Sequence, residues 1–209
     1  MAIDVNILAD AIVRANQSMA GLTDVLNAAD AKLGDGDTGT MLARLIGTFA
    51  DVDVRNAPDL GAGFMALAKA GAASTGSSLG TLIITAMMTA GKLNSGRKLM
   101  EWGQLGAVIA AICDAAMARG KAELGAKTII DGLDALAKAI DGKDDPGAIA
   151  VAARDAMDEV LATFRQRPSA MGRARMFAEK SIGLDDPGML GLAEIVRAVT
   201  ADHGATPLA

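Results

Sequence analysis

Apolar residues recur at helical spacing along almost the whole chain, and no strand-like alternation competes with them. This periodicity restricts the fold more than any other feature. The palette agrees with it. About half of the residues are hydrophobic, 51%, yet only 2% are aromatic and none is Tyr. Ala, Leu, Met and Ile build helices and close helix–helix contacts rather than β-sandwiches.

The pattern divides into eight helices. The first covers residues 4 to 31, with Asp4 as N-cap and Leu8, Ile12, Met19, Leu22 and Leu26 along one face. A second runs from about 38 to 49 with Met41, Leu42, Leu45 and Ile46 as its stripe, and a third from 59 to 73. A fourth ends near Gly91, and a fifth spans about 99 to 118 and stops at Gly120. The sixth begins near Thr128 and the seventh at Pro146, since Pro suits a first helical turn. A loop with room for a short helical piece covers 168 to 187, and the eighth helix runs from Pro187 to about His203-Gly204. With no repeat of fixed period and no low-complexity linker, residues 1–209 read as one domain. Short connections between antiparallel helices predict an all-α, up-and-down bundle or closed barrel of eight helices. The exits of the odd-numbered helices then share one end.

That end is where the chemistry lies. Asp30, Asp35 and Asp37 occupy one turn with Gly34, Gly36 and Gly39. A single aspartate here reads as a cap for the second helix. Three among interleaved glycines read as carboxylates aimed at one cation, and hard oxygen ligands suit Mg2+ or Ca2+. An EF-hand is excluded: with Asp35 first, position twelve is Ile46 rather than a bidentate Glu. A second turn, Ser74-Thr75-Gly76-Ser77-Ser78, opens a helix with amides and hydroxyls suited to an anion. A third segment gathers Arg173, Arg175 and Lys180 before Asp186-Pro187-Gly188, and Arg173 suits a phosphate. Neither a P-loop nor a dinucleotide-binding Gly-x-Gly-x-x-Gly after a strand occurs.

Other classes fall away. The net charge is −5 with no long basic run, which argues against nucleic acid. No run of 18 apolar residues and no basic, apolar leader appears, so a cytoplasmic protein without a membrane span is expected. The single cysteine, Cys113, sits in an apolar run and reads as an inert core thiol. The single histidine, His203, reads as a solvated terminal residue.

Taken together, these segments resemble the nucleotide-binding L subunit of bacterial dihydroxyacetone kinase. Asp30, Asp35 and Asp37 match its Leu-Asp-x4-Asp-x-Asp turn, and Ser74-Thr75-Gly76 is similar to its Gly-x-Ser-Gly turn. Gly125-Ala126-Lys127-Thr128-Ile129-Ile130-Asp131 resembles its Gly-Asp-Lys-Thr-Met-x-Asp segment, and residues 172 to 188 resemble its tail. The likeness runs in order over almost the whole chain. It departs at Thr38, where the family has His, at Met41 for Asn, at Ala126 for Asp and at Lys180 for Arg. Thr38 is similar instead to the ATP-binding domain of fatty-acid kinases.

The resemblance implies an eight-helix barrel with the nucleotide and two Mg2+ at one end. It implies metal ligation by Asp30, Asp35 and Asp37, with Arg173 beside them in catalysis. It places ADP or ATP against Thr38, Gly39, Thr40, Met41, Ser74, Thr75, Gly76, Gly120, Ile129, Arg173, Asp186, Pro187 and Gly188. With few aromatic residues to stack on, aliphatic contacts from Ile129 and Leu79 are expected around adenine. It also implies a partner, a K-type subunit that holds the ketose through a histidine, and a phosphoryl donor that is either ATP or a phosphotransferase-system protein. The alternatives are a fatty-acid-kinase component and a nucleotide-bound regulatory module.

Overall fold

The computed structural model describes residues 2–201. Within them lie eight α-helices: α1 Val5–Asp30, α2 Thr38–Ala50, α3 Leu60–Ala72, α4 Ser78–Leu93, α5 Leu105–Gly120, α6 Ile129–Ile140, α7 Pro146–Arg165 and α8 Pro187–Thr200. The all-α reading holds. The far end of α8 near His203-Gly204, and His203 itself, lie outside the described residues.

The ends are set by local chemistry. Asp4 accepts hydrogen bonds from the amides of Asn6 and Ile7, and Asp59 accepts one from Ala62. Thr128 and Asp131 form a reciprocal capping box at α6. Pro146 and Pro187 occupy first turns behind the capping carboxylates of Asp145 and Asp186. Each helix packs on the next in sequence, and α8 returns to pack on α1 and α6. The helices therefore alternate in direction. Every odd exit lies at one end and every odd start at the other.

The start of α5 corrects the sequence reading. Residues 99 to 104 are not α-helical. Met100–Glu101 form a short strand, β2, paired antiparallel with β1, Ala2–Ile3, and Trp102–Gln104 form a 3-10 turn. Burial decides it: Ile3 and Met100 are 8% and 3% exposed and pack together with Leu60 and Ala90 where the odd helices begin. The 168–187 connection does contain a helical piece, a 3-10 segment at Arg173–Ser181 kinked at Phe177.

Two apolar clusters fill the interior. One joins Met19, Leu26, Leu42, Leu45, Ile46, Phe49 and Leu67, and the other joins Leu136, Ile140, Met157, Leu161, Met189 and Ala193. A smaller one, Cys113, Ala116 and Ile130, backs the end where the odd helices exit. Cys113 is buried as expected, and burial lifts its thiol to about 11, so it stays protonated.

Close approach of α1 and α2 positions the aspartate turn. A methyl group on Gly39 would lie 2.0 Å from the carbonyl oxygen of Thr23. Gly39→Ala is therefore expected to push α2 off α1 and destabilise the protein by about 1–3 kcal/mol. Gly21→Ala, mid-α1 with nothing within 4 Å of the added carbon, is expected to stabilise it by about 1 kcal/mol. Thermal denaturation of both variants checks the pair of signs.

Candidate metal and nucleotide site

Asp30 ends α1 and is 8% exposed. Its Oδ2 accepts hydrogen bonds from the amides of Asp37 at 3.0 Å and Thr38 at 3.2 Å, which begin α2. One carboxylate thus folds the turn back on itself. Gly34 makes this possible, because a Cβ there would sit 2.1 Å from Asp30 Oδ1. The turn brings oxygens of Asp30, Asp35 and Asp37 within 4.8 Å of one another, the one such acidic, His or Cys group among the described residues.

The capping alternative is answered by geometry. Asp4, Asp59, Asp145 and Asp186 all accept amides of the helices they precede. Asp37 stands at the N-cap of α2 and makes no such bond: Asp30 takes the amide of Thr38, and Asn27 takes that of Thr40. Asp37 keeps its exposed carboxylate free of the cap. Asp35 is bonded by Arg173, which holds its carboxyl below the usual carboxylate range and raises the Arg173 guanidinium in turn. Three carboxylates this close repel one another; the Arg173 guanidinium offsets part of that charge, and their oxygens are of the kind that suits a hard divalent ion.

These carboxylates stand at the edge of a cleft of about 980 Å³, a size suited to a small ligand. The first residues of α2, α4 and α8, and both Thr128 and Ile129 at α6, line it. Four helix N-termini therefore face one space, and such ends favour anions. Leu79, Leu82 and Ile129 supply an apolar wall, and Arg119, Arg173 and Arg175 supply positive charge.

The remaining wall is the α7–α8 connection. Arg165 forms a two-pronged pair with Asp185, at 2.8 Å and 2.6 Å. Asp131, 4% exposed, accepts the amides of Gly125 and Thr128 and so shapes the neighbouring α5–α6 loop. Asp186 caps α8 through Met189, and burial lifts its carboxyl to about 6 against its capping bonds and Lys127.

The sequence matches the family of the DAK2 domain over residues 32–201. The chain belongs to the DAK2 domain family. This DAK2 domain is 33% identical over 183 residues to L-erythrulose 1-kinase of Mycolicibacterium smegmatis, covering 81% of the chain and 31% of the relative. It superposes on the dihydroxyacetone kinase of C. freundii in its native form with a TM-score of 0.74, at 24% identity, covering 96% of this chain and 35% of that one. For the same kinase in complex with AMP-PNP and Mg2+ the TM-score is 0.71, at 23% identity, covering 97% and 35%. These structures establish the fold. The chain spans about a third of the length of the kinases it matches.

Most of the residues singled out in the sequence of this DAK2 domain meet at the cleft. Asp30, Asp35, Asp37, Thr38, Met41, Gly76, Gly120, Ile129, Arg173, Asp186, Pro187 and Gly188 line it, as does Leu79. Four are not among its lining. Gly39 faces Thr23, and Thr40 is bonded to Asn27 through its amide and hydroxyl. The Ser74 hydroxyl donates to Gly71, and the Thr75 hydroxyl lies 3.4 Å from that of Ser77, behind Gly80. Ser77 caps α4, so the lining of the second turn starts at Gly76 and continues through Ser77, Ser78, Leu79 and Thr81. Arg119, Met171, Arg175 and Met176 also line the cleft, and only the motif around Arg173 pointed toward the last three.

Two outcomes follow from this geometry. Asp37→Ala is expected to change stability by less than about 0.5 kcal/mol, whereas Asp59→Ala loses a working cap and costs about 1 kcal/mol. Denaturant midpoints of the two variants decide it. Asp186 gives a pH signature. Its folded value of about 6 lies above the ordinary 3.8, so the folded state binds its proton more tightly. The contribution is present below the ordinary value and is lost as pH rises through the folded one. Relative to Asp186→Asn, the wild-type protein is expected to lose stability between those two values, which thermal melts across that range measure.

Proposed function

We propose that this DAK2 domain is the nucleotide-binding subunit of a kinase that phosphorylates dihydroxyacetone or a related small ketose. The observation that carries the reading is the set of Asp30, Asp35 and Asp37, oxygens within 4.8 Å of one another, beside a cleft faced by four helix N-termini. The kinase relatives support the reaction class, and their ketose substrates favour a sugar over a fatty-acyl acceptor. A nucleotide analogue and Mg2+ in one of those kinases support the choice of ligands.

Bound Mg2+, expected as two ions, would neutralise the phosphates of ADP or ATP and link them to the carboxylates. The chain does the rest by positioning, as phosphoryl transfer requires little else. Asp30 is fixed by two amides, so its remaining oxygen is held in place before any ligand arrives. Asp35 and Asp37 add exposed oxygens at the same point. Thr38, Gly76, Ser77 and Gly188 present the starts of α2, α4 and α8 to phosphate oxygens. Arg173 stands on Asp35, within reach of charge that develops on the transferred group. Leu79, Leu82 and Ile129 receive the base.

The acceptor comes from elsewhere. Among the described residues there is no histidine to anchor a ketone. A K-type partner subunit would carry the ketose to the mouth of the cleft. Phosphoryl supply comes from ATP or from a phosphotransferase-system protein that recharges bound ADP. No described helix is long and apolar enough to cross a membrane.

Calorimetric titration with ADP tests the reading. Binding is expected with Mg2+, is lost on adding EDTA, and weakens by at least about tenfold in Asp35→Asn. Equal affinity with and without Mg2+, or an Asp35→Asn variant that binds as wild type, overturns it.

A further inference from the structure

Lys127 is the one lysine that is almost wholly buried among the described residues, at 1% exposure. It lies in the loop between α5 and α6, next to a segment that lines the cleft, and its charge invites a role in holding phosphate. The geometry excludes that. Its Nζ donates to the carbonyl of Arg167 at 2.8 Å and to that of Ser181 at 2.7 Å. Its backbone takes the left-handed conformation, φ 60°, unusual for a residue with a long side chain.

The two acceptors lie at opposite ends of one loop. Arg167 follows α7, and Ser181 closes the 3-10 segment. Between them, Met171 to Met176 wall the cleft and Arg173 reaches Asp35. A single ammonium thus draws the base of the loop together. The Ser181 hydroxyl reinforces it, accepting from the Ser169 amide and donating to Ala178, and the Ala170 amide donates to Ala126 beside Lys127. Both acceptors of the ammonium are neutral carbonyls. Asp186 and Asp185 favour its charge from α8 and the segment before it, Arg165 opposes it from α7, and burial draws the amine below its ordinary value.

We propose that Lys127 is a positioning residue: it clasps the base of the 167–181 loop and so holds Arg173 over the aspartate turn. This role rests on the reading above, in which Arg173 meets a phosphate.

Two measurements on Lys127→Met, which keeps the length and removes the donors, test it separately. The first needs no nucleotide. Tryptic cleavage after Arg173 and Arg175 is expected to accelerate about tenfold at a temperature where the variant remains folded, and unchanged cleavage overturns the clasp. The second uses Mg–ADP and adenosine as probes. Affinity for Mg–ADP is expected to fall about tenfold while that for adenosine holds, and the same substitution in an Arg173→Ala background is expected to cost less than about twofold more. A full additional loss in that background, or an equal loss for adenosine, shows that Lys127 does not act through Arg173. If the wild-type chain binds no nucleotide, the functional reading falls and the proteolysis still decides the clasp. Should Lys127→Met not fold, Lys127→Gln, which stays polar but is too short to hold both carbonyls, takes its place and is expected to shift cleavage in the same direction. Unchanged cleavage there overturns the proposal equally.

Discussion

The carboxylate of Asp30 holds the candidate site together. It ends one helix, is buried, and takes the two amides that begin the next. A buried charge of this kind is tolerated because hydrogen bonds replace the lost water. With the Thr38 amide taken by Asp30 and the Thr40 amide by Asn27, Asp37 makes no capping bond, and its carboxylate stays exposed near those of Asp30 and Asp35. Asp35 stands between them on Gly34 and Gly36.

The alternation of helix direction does the remaining work. Odd helices bring carboxylates and a glycine-ended helix to the cleft, and even helices bring amide-rich starts. Cation and anion preferences thereby meet in one space, which suits a metal–phosphate pair better than either ligand alone. The α5–α6 loop and the α7–α8 connection form the rest of the wall, tied by Lys127, and by Arg165 and Asp185. The exposed Arg173–Asp35 pair is bathed in solvent and is the contact a ligand would exchange most readily.

Much of this was legible in the sequence, for identifiable reasons. Helix number and most ends follow from apolar spacing and local caps such as Asp4, Thr128 and Pro187, which depend on residues a few positions away. The aspartate turn was legible because its glycines and carboxylates are contiguous. Three things were not. The strand pair at Ile3 and Met100 joins residues distant in sequence, and two residues carry no periodicity. The second turn was placed slightly too early, because the lining begins around whichever hydroxyl caps α4, and that is Ser77 rather than Ser74 or Thr75. The burial of Lys127 carries no local signal, since its acceptors lie 40 and 54 residues away.

The most direct test of the central claim is a crystal structure with Mn2+ and ADP, using the anomalous signal of manganese to locate the metal. The account predicts manganese coordinated by oxygens of Asp30, Asp35 and Asp37, with Arg173 moved from Asp35 onto a phosphate. Manganese absent from these three carboxylates while nucleotide fills the cleft would contradict it.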